Sequence, residues 1–143
     1  MAGRAFERAR AAAITAIDLD PELVDAQTAL AAVSHRLDRD WEASDQAYRR
    51  ALALDAGHAL AHRWYALFLA EQGRHREALA EAERSLDLDP LLAETHTALG
   101  LVHYYAGRFD KAAAAARRAI AIAPGLQSAR LLLAQSFTPV NGR

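Results

Sequence analysis

Apolar residues recur along this chain at steps of three and four, the spacing of amphipathic helices, and not in the alternation typical of strands. The segment from Leu60 to Gln72 has this spacing, and Gly73 follows it, where a left-handed residue can end a helix. Helical spacing resumes from Glu77 to Leu88, with apolar residues on one side and charged residues on the other. Asp89 and Pro90 close this second segment, because proline disfavours helix in the residue before it. The pattern predicts two helices joined by a short turn.

This helix pair recurs with a period of 34 residues. The segment "AHRWYALFLAEQGRHREALAEAERSLDLDP" (61–90) aligns with "THTALGLVHYYAGRFDKAAAAARRAIAIAP" (95–124). Gly73 and Gly107 share the spacing, and so do Pro90 and Pro124. A fixed period across such unlike residues indicates a stacked array, in which each unit is too small to bury its own apolar face.

The unit resembles the tetratricopeptide repeat, whose pattern is W-x2-L-G-x2-Y, followed by A-x3-F, A and P. In the last full unit, five positions keep the family residue: Leu99, Gly100, Ala112, Ala119 and Pro124. Three positions depart from it: His96 replaces the Trp, His103 the Tyr and Ala116 the Phe. In the preceding unit, His62 holds the Trp position and Tyr65 the Leu position. The resemblance implies that these histidines are partly buried packing residues.

The resemblance extends over almost the whole chain and implies an all-α, right-handed superhelix, an α-solenoid of about eight antiparallel helices. We expect a single domain over 1–143, with a half repeat at 4–20, full repeats at 24–58, 59–92 and 93–126, and a terminal helix at 127–138. The first full repeat is one residue longer, and we place the extra residue in "LDRDW" (37–41), which also lacks the turn glycine. Half repeats at both ends favour a segment of a longer protein; a small protein with capping helices is the alternative.

Composition narrows the function classes. The chain has 143 residues, of which 52% are hydrophobic and 24% charged, and its net charge is −1. A near-neutral chain has no strong attraction to nucleic acid or to anionic lipid. There is no cysteine, which excludes disulfides and thiolate metal sites. The charged start "MAGRAFERAR" is unlike a signal peptide, and we expect a cytoplasmic protein.

Histidine is the only conspicuous residue type for chemistry. His58 and His62 have the H-x3-H spacing of two metal ligands on one helix face, but no third ligand is evident. The isolated turn glycines do not form a phosphate-binding loop, and no serine lies in a nucleophile motif. We therefore expect no enzyme activity, no metal and no cofactor.

In the tetratricopeptide family the first helices of the repeats line a concave groove that holds partners. In the unit with Trp64, a packing stripe leaves a second stripe unused, formed by the apolar Leu60, Trp64 and Leu67 and by Glu71. Trp, Tyr and Arg, the residue types that dominate binding hot spots, recur near this second stripe. We predict that a partner contacts Arg63, Trp64, Leu67, Leu101, Tyr104, Tyr105 and Leu131. The alternative is that Trp64 and Leu101 pack between neighbouring first helices.

Family members that bind chaperones hold a C-terminal carboxylate with Lys, Asn and Arg. The equivalent positions here are Thr28, Ala32, Trp64, Glu94 and Ala98, and none can donate such a clamp. We expect an apolar or aromatic peptide or helix instead, bound by a scaffold that is part of a larger bacterial regulatory or signalling protein. The alternative function is a self-assembly module that stacks through its ends, where Leu131, Leu132, Leu133, Ala12 and Ala13 lie.

Overall fold

Every regular element in the described part of the chain is helical. The computed structural model describes residues 2–20 and 22–137. Its eight α-helices are α1 (Ala2–Leu19), α2 (Val24–Val33), α3 (Trp41–Leu54), α4 (Ala59–Glu71), α5 (His75–Leu88), α6 (Ala93–Tyr105), α7 (Phe109–Ile122) and α8 (Gln127–Phe137). The predicted all-α class is confirmed. The predicted end of the terminal helix, residue 138, lies outside the described residues.

The chain divides into two compact units, Met1–Ala61 and His62–Arg143. The prediction of a single domain with the repeat boundaries given above stays a prediction. In the first unit α2 packs against α1 and against α3. Tyr48 and Ala51 of α3 are fully buried there, and the hydroxyl of Ser44 donates a hydrogen bond of 2.8 Å to the carbonyl of Ala31.

In the second unit α6 packs against α5 and α7, and α7 packs against α8. The contact between these helices is built mainly from alanine. One cluster contains Ala112, Ala116 and Leu132, and another contains Ala93, Ala119 and Ala129. Because these side chains are small, the helix backbones can lie close together.

Two turns in the second unit end their helices with glycine in the left-handed region. Gly73 has a φ of 78° and Gly107 a φ of 79°. After each glycine the backbone reaches back five residues, and the N–H of Arg74 donates to the carbonyl of Leu69 over 2.9 Å. This arrangement satisfies carbonyls that the helix end would otherwise leave unpaired.

The turn of the first repeat is built differently. Residues Ser34–Asp38 form a π-helical turn, and Arg39, with a φ of 52°, takes the left-handed position. Arg39 lies 34 residues before Gly73, so the two residues are equivalent. A π-turn holds one more residue than an α-turn, so the extra residue of this repeat is absorbed over 34–38, a range that overlaps the predicted 37–41. Asp40 then begins α3, since its carboxylate accepts a 3.0 Å hydrogen bond from the N–H of Ala43.

Candidate functional site

A groove of about 220 Å³ lies between first helices of the second unit. We call it the Trp64 groove; α4, α6 and α8 provide its lining, which consists of Arg63, Trp64, Leu67, Glu94, Thr97, Ala98, Leu101 and Ser128. Four of the seven predicted site residues are therefore brought together in one place: Arg63, Trp64, Leu67 and Leu101.

The neighbouring rings of Trp64 and Tyr65 have different environments. Tyr65 is only 4% exposed and stacks on Phe68, with 6.2 Å between ring centroids. Trp64 is half-buried and lines the groove, as do the half-buried Leu67 and Leu101. Since consecutive residues on a helix point about 100° apart, the helix that buries Tyr65 leaves part of Trp64 available to a ligand.

Charge in the groove comes from one cation and one anion. Partial burial lowers the pKa of the Arg63 guanidinium, and the carboxylates of Glu94 and Asp89 act in the opposite direction. Arginine remains protonated at neutral pH. Arg63 and the exposed Glu94 can therefore orient a polar part of a ligand, while the apolar side chains bind its hydrophobic part.

The other three predicted residues do not line this groove. Tyr104 is half-buried against the Ala112 cluster, and its ring centroid lies 5.3 Å from that of Phe109. Tyr105 is 47% exposed, and burial of the rest of its side chain raises the pKa of its phenol, with smaller effects from Glu71 and Tyr104. Leu131 is 59% exposed.

Four groove residues were not among the predicted site residues: Glu94, Thr97, Ala98 and Ser128. Thr97 is buried, and its hydroxyl donates a 3.0 Å hydrogen bond to the carbonyl of Ala93. The repeat period could have predicted that Ser128 lines the groove, because it lies 34 residues after Glu94. Equivalent positions of successive first helices therefore meet at this groove.

The histidines in the family's aromatic positions are buried, as predicted. His62 and His96 are each 7% exposed, and His103 is 9% exposed. A ring nitrogen of His62 lies 2.5 Å from the carboxylate of Glu81, and Nε2 of His96 donates to the carbonyl of Pro90 over 2.7 Å. These contacts give the histidines a packing role.

His58 begins α4 as a cap. Its Nδ1 accepts a 3.0 Å hydrogen bond from the N–H of Ala61, and its Nε2 donates to the carboxylate of Asp25 over 2.8 Å. Both ring nitrogens are therefore occupied by protein groups. Across residues 2–20 and 22–137, no group of three or more His, Asp or Glu side chains is arranged to hold a metal ion. In the same ranges, no helix has the length and apolar character needed to cross a membrane.

Comparison with known proteins identifies the fold family. The sequence model described as Tetratricopeptide repeat matches residues 58–125. No curated protein matches the chain. Among solved structures, pilF of Pseudomonas aeruginosa is 27% identical with a TM-score of 0.79, and the alignment covers 93% of this chain and 60% of that one.

Two further structures show the same fold. PilW, described as a type IV pilus biogenesis factor, is 24% identical with a TM-score of 0.84, over 96% of this chain and 64% of that one. A tetratricopeptide-repeat protein of Thermus thermophilus is 20% identical with a TM-score of 0.78, over 88% and 70% of the two chains. This chain thus spans about three fifths of the length of the pilF structure.

Proposed function

Since this chain is a tetratricopeptide-repeat protein, we propose that it is a non-catalytic interaction scaffold that binds an apolar or aromatic segment of a partner in the Trp64 groove. The observation that carries the proposal is the half-buried Trp64, which shares an open groove with Leu67 and Leu101. Tryptophan and arginine are the residue types most enriched among interface hot spots.

The size of the groove favours a peptide side chain over a small-molecule ligand. Its volume of about 220 Å³ lies below the roughly 300–1,000 Å³ of typical small-molecule pockets. One large side chain of a bound segment would occupy it, and the rest of the segment would lie along the first helices. We propose that Arg63 and Glu94 set the direction of the segment by contacts with its polar groups.

A C-terminal carboxylate is a poor ligand for this groove. Glu94 would repel it and so offset the attraction of Arg63, and neither Ala98 nor Trp64 offers the amide or ammonium donors of a carboxylate clamp. We therefore propose that the ligand is an internal segment of a partner protein. We also propose that this chain is part of a larger bacterial regulatory or signalling protein in the cytoplasm.

The two tryptophans of this chain permit a direct binding experiment. Trp41→Phe leaves Trp64 as the only tryptophan. Peptides selected from a random twelve-residue phage library against the protein serve as the probe. We expect the selected peptides to be enriched in aromatic and Leu residues, and their binding to shift the emission of Trp64 to shorter wavelength, because the ring becomes more completely buried.

Substitution in the groove tests its role. Trp64→Ala is expected to weaken binding of a selected peptide at least tenfold, or about 1.4 kcal/mol or more. Trp41→Ala is the matched control, since Trp41 is a partly exposed tryptophan of the first unit that does not line the groove, and it should leave the affinity unchanged. Selected peptides that bind Trp64→Ala and Leu67→Ala as tightly as the original protein would refute the proposal.

A further inference from the structure

Helix α8 has a face that no described helix of the second unit covers. This face borders a cavity of about 580 Å³, here called the α8 groove, lined by Ile120, Pro124, Arg130, Leu133, Ala134 and Phe137. Phe137 is 62% exposed although the guanidinium of Arg117 lies 5.3 Å from its ring centroid. A large exposed ring beside an apolar cavity is unusual for a surface that faces only water.

The repeat register tells what kind of element fits the α8 groove. Ala134 and Phe137 lie 34 residues after Gly100 and His103 of α6. In α6 those positions are covered by α7: a Cβ atom on Gly100 would lie 3.3 Å from that of Ala115, and His103 is 9% exposed. The α8 groove therefore corresponds to the position that a second helix occupies in a complete repeat.

Among the described residues, helix α1 is a second helix with one face that lacks a first helix to pack against. Ala9, Ala13 and Ala16 have the same mutual spacing as Ala112, Ala116 and Ala119 of the second helix α7, and they hold equivalent positions in the repeat pattern. α1 packs against α2, and Ala13 is 4% exposed. Ala9 and Ala12, however, are exposed, whereas their equivalents in α7, Ala112 and Ala115, are 0% and 5% exposed. α1 is thus a second helix whose own first helix is absent from the described residues.

The two uncovered faces complement each other. α8 offers large side chains, Leu133 and Phe137, around the small Ala134, and α1 offers a row of alanines. In the contact of α7 with α6, alanines of the second helix likewise lie against a small residue, Gly100, and a larger one, Tyr104. We propose that α1 of one copy occupies the α8 groove of another copy, so that the two chains complete one repeat between them and assemble head to tail.

The contact of α1 with the α8 groove is separate from peptide binding in the Trp64 groove, and its residues differ in part from the end residues expected from the sequence. Leu132 and Ala13, predicted as end residues for stacking, are buried within their own chain at 1% and 4% exposure. The contact surfaces are instead centred on Phe137 and on Ala9. Such a contact is heterologous, so assembly does not stop at a dimer unless the chain of copies closes into a ring.

Two blocking variants test the contact, one on each face. Ala134→Arg places a long charged side chain in the α8 groove, and Ala12→Glu places a carboxylate on the open face of α1. Both positions are exposed, so the folded structure should persist, which far-ultraviolet circular dichroism checks. Sedimentation velocity over about a hundredfold range of concentration follows the assembly.

We expect the mass of the unmodified protein to rise with concentration beyond that of a dimer, and each variant alone to remain monomeric. An equimolar mixture of the two variants should form dimers and stop there, since each keeps one intact face. Leu91→Arg is the matched control, because Leu91 is an exposed residue between α5 and α6, outside α1 and α8; it should assemble normally, as should Trp64→Ala. An unmodified protein that stays monomeric, a mixture that stays monomeric, or a single variant that assembles normally would overturn the proposal.

Discussion

Gly100 is the residue whose substitution has the clearest expected effect. A Cβ atom there would lie 2.6 Å from Cδ2 of Leu132 and 3.2 Å from the carbonyl oxygen of Ala112. We expect Gly100→Ala to lower the free energy of unfolding by up to about 2 kcal/mol, because overpacking costs about 1–3 kcal/mol and the gain in helix propensity offsets about 1 kcal/mol of that cost. Urea denaturation measures the change. Gly125→Ala, where the added Cβ meets nothing within 4 Å, is the control and should be nearly neutral.

His103 makes stability depend on pH. Burial lowers its pKa from the ordinary 6.5, and the nearby cations Arg108 and Lys111 lower it further. The unfolded chain therefore binds a proton at a higher pH than the folded one. This residue's contribution to stability begins to be lost as the pH falls below about 6.5, and it is fully lost below the lowered pKa of the folded state. His103→Tyr, which restores the family residue, should lose less stability between about pH 7.5 and 5.5. Thermal unfolding at both pH values measures it, and equal losses in the two proteins would contradict this assignment.

The environments of Trp64, Tyr65 and Tyr104 show which side-chain positions a sequence pattern can predict. The separation of Trp64 from Tyr65 was predictable, because the repeat pattern assigns Tyr65 to a packing position and the helix turns by a fixed angle between the two residues. That Tyr104 lies outside the groove was not predictable from the sequence, because its position depends on the contact of its ring with Phe109 across a turn. Periodicity gives the direction of a side chain on its helix, whereas its neighbours on other helices come only from the packed structure.

At the scale of elements, the turn before α3 is the one that departs from its equivalents. Arg39 holds a left-handed conformation that glycine holds in the equivalent turn of the second unit. An L-residue in this region is less stable by roughly 1–2 kcal/mol, and glycine is not. We expect Arg39→Gly to raise the free energy of unfolding by about 0.5–1 kcal/mol, after the greater freedom of glycine in the unfolded chain is subtracted.

The reciprocal substitution provides the control for this turn. Gly73→Ala forces a side chain into a φ of 78° and should be destabilising by about 1 kcal/mol. Both changes are measurable by urea denaturation. Destabilisation by Arg39→Gly would mean that the arginine side chain contributes more than the backbone strain removes.

At the scale of the whole molecule, the repeat fold extends further than its sequence signature. The family match is confined to residues 58–125, yet structural similarity to pilF covers 93% of the chain. The first repeat accounts for part of the difference, because it has a π-turn, an arginine in place of the turn glycine, and Ala56 where later repeats have proline. Helix pairing depends on the apolar stripes, which this repeat keeps, while sequence recognition depends on the turn residues, which it has lost.

The alanine rows of the second helices have an entropic consequence. Ala112, Ala116 and Ala119 are all fully buried, and an alanine side chain has no rotamers to lose when it is buried. Each of these alanines buries little apolar area, but its burial costs no side-chain entropy, whereas a Leu or Met at the same position would lose rotamer freedom. In this helix the loss of conformational freedom on folding therefore falls mainly on the backbone.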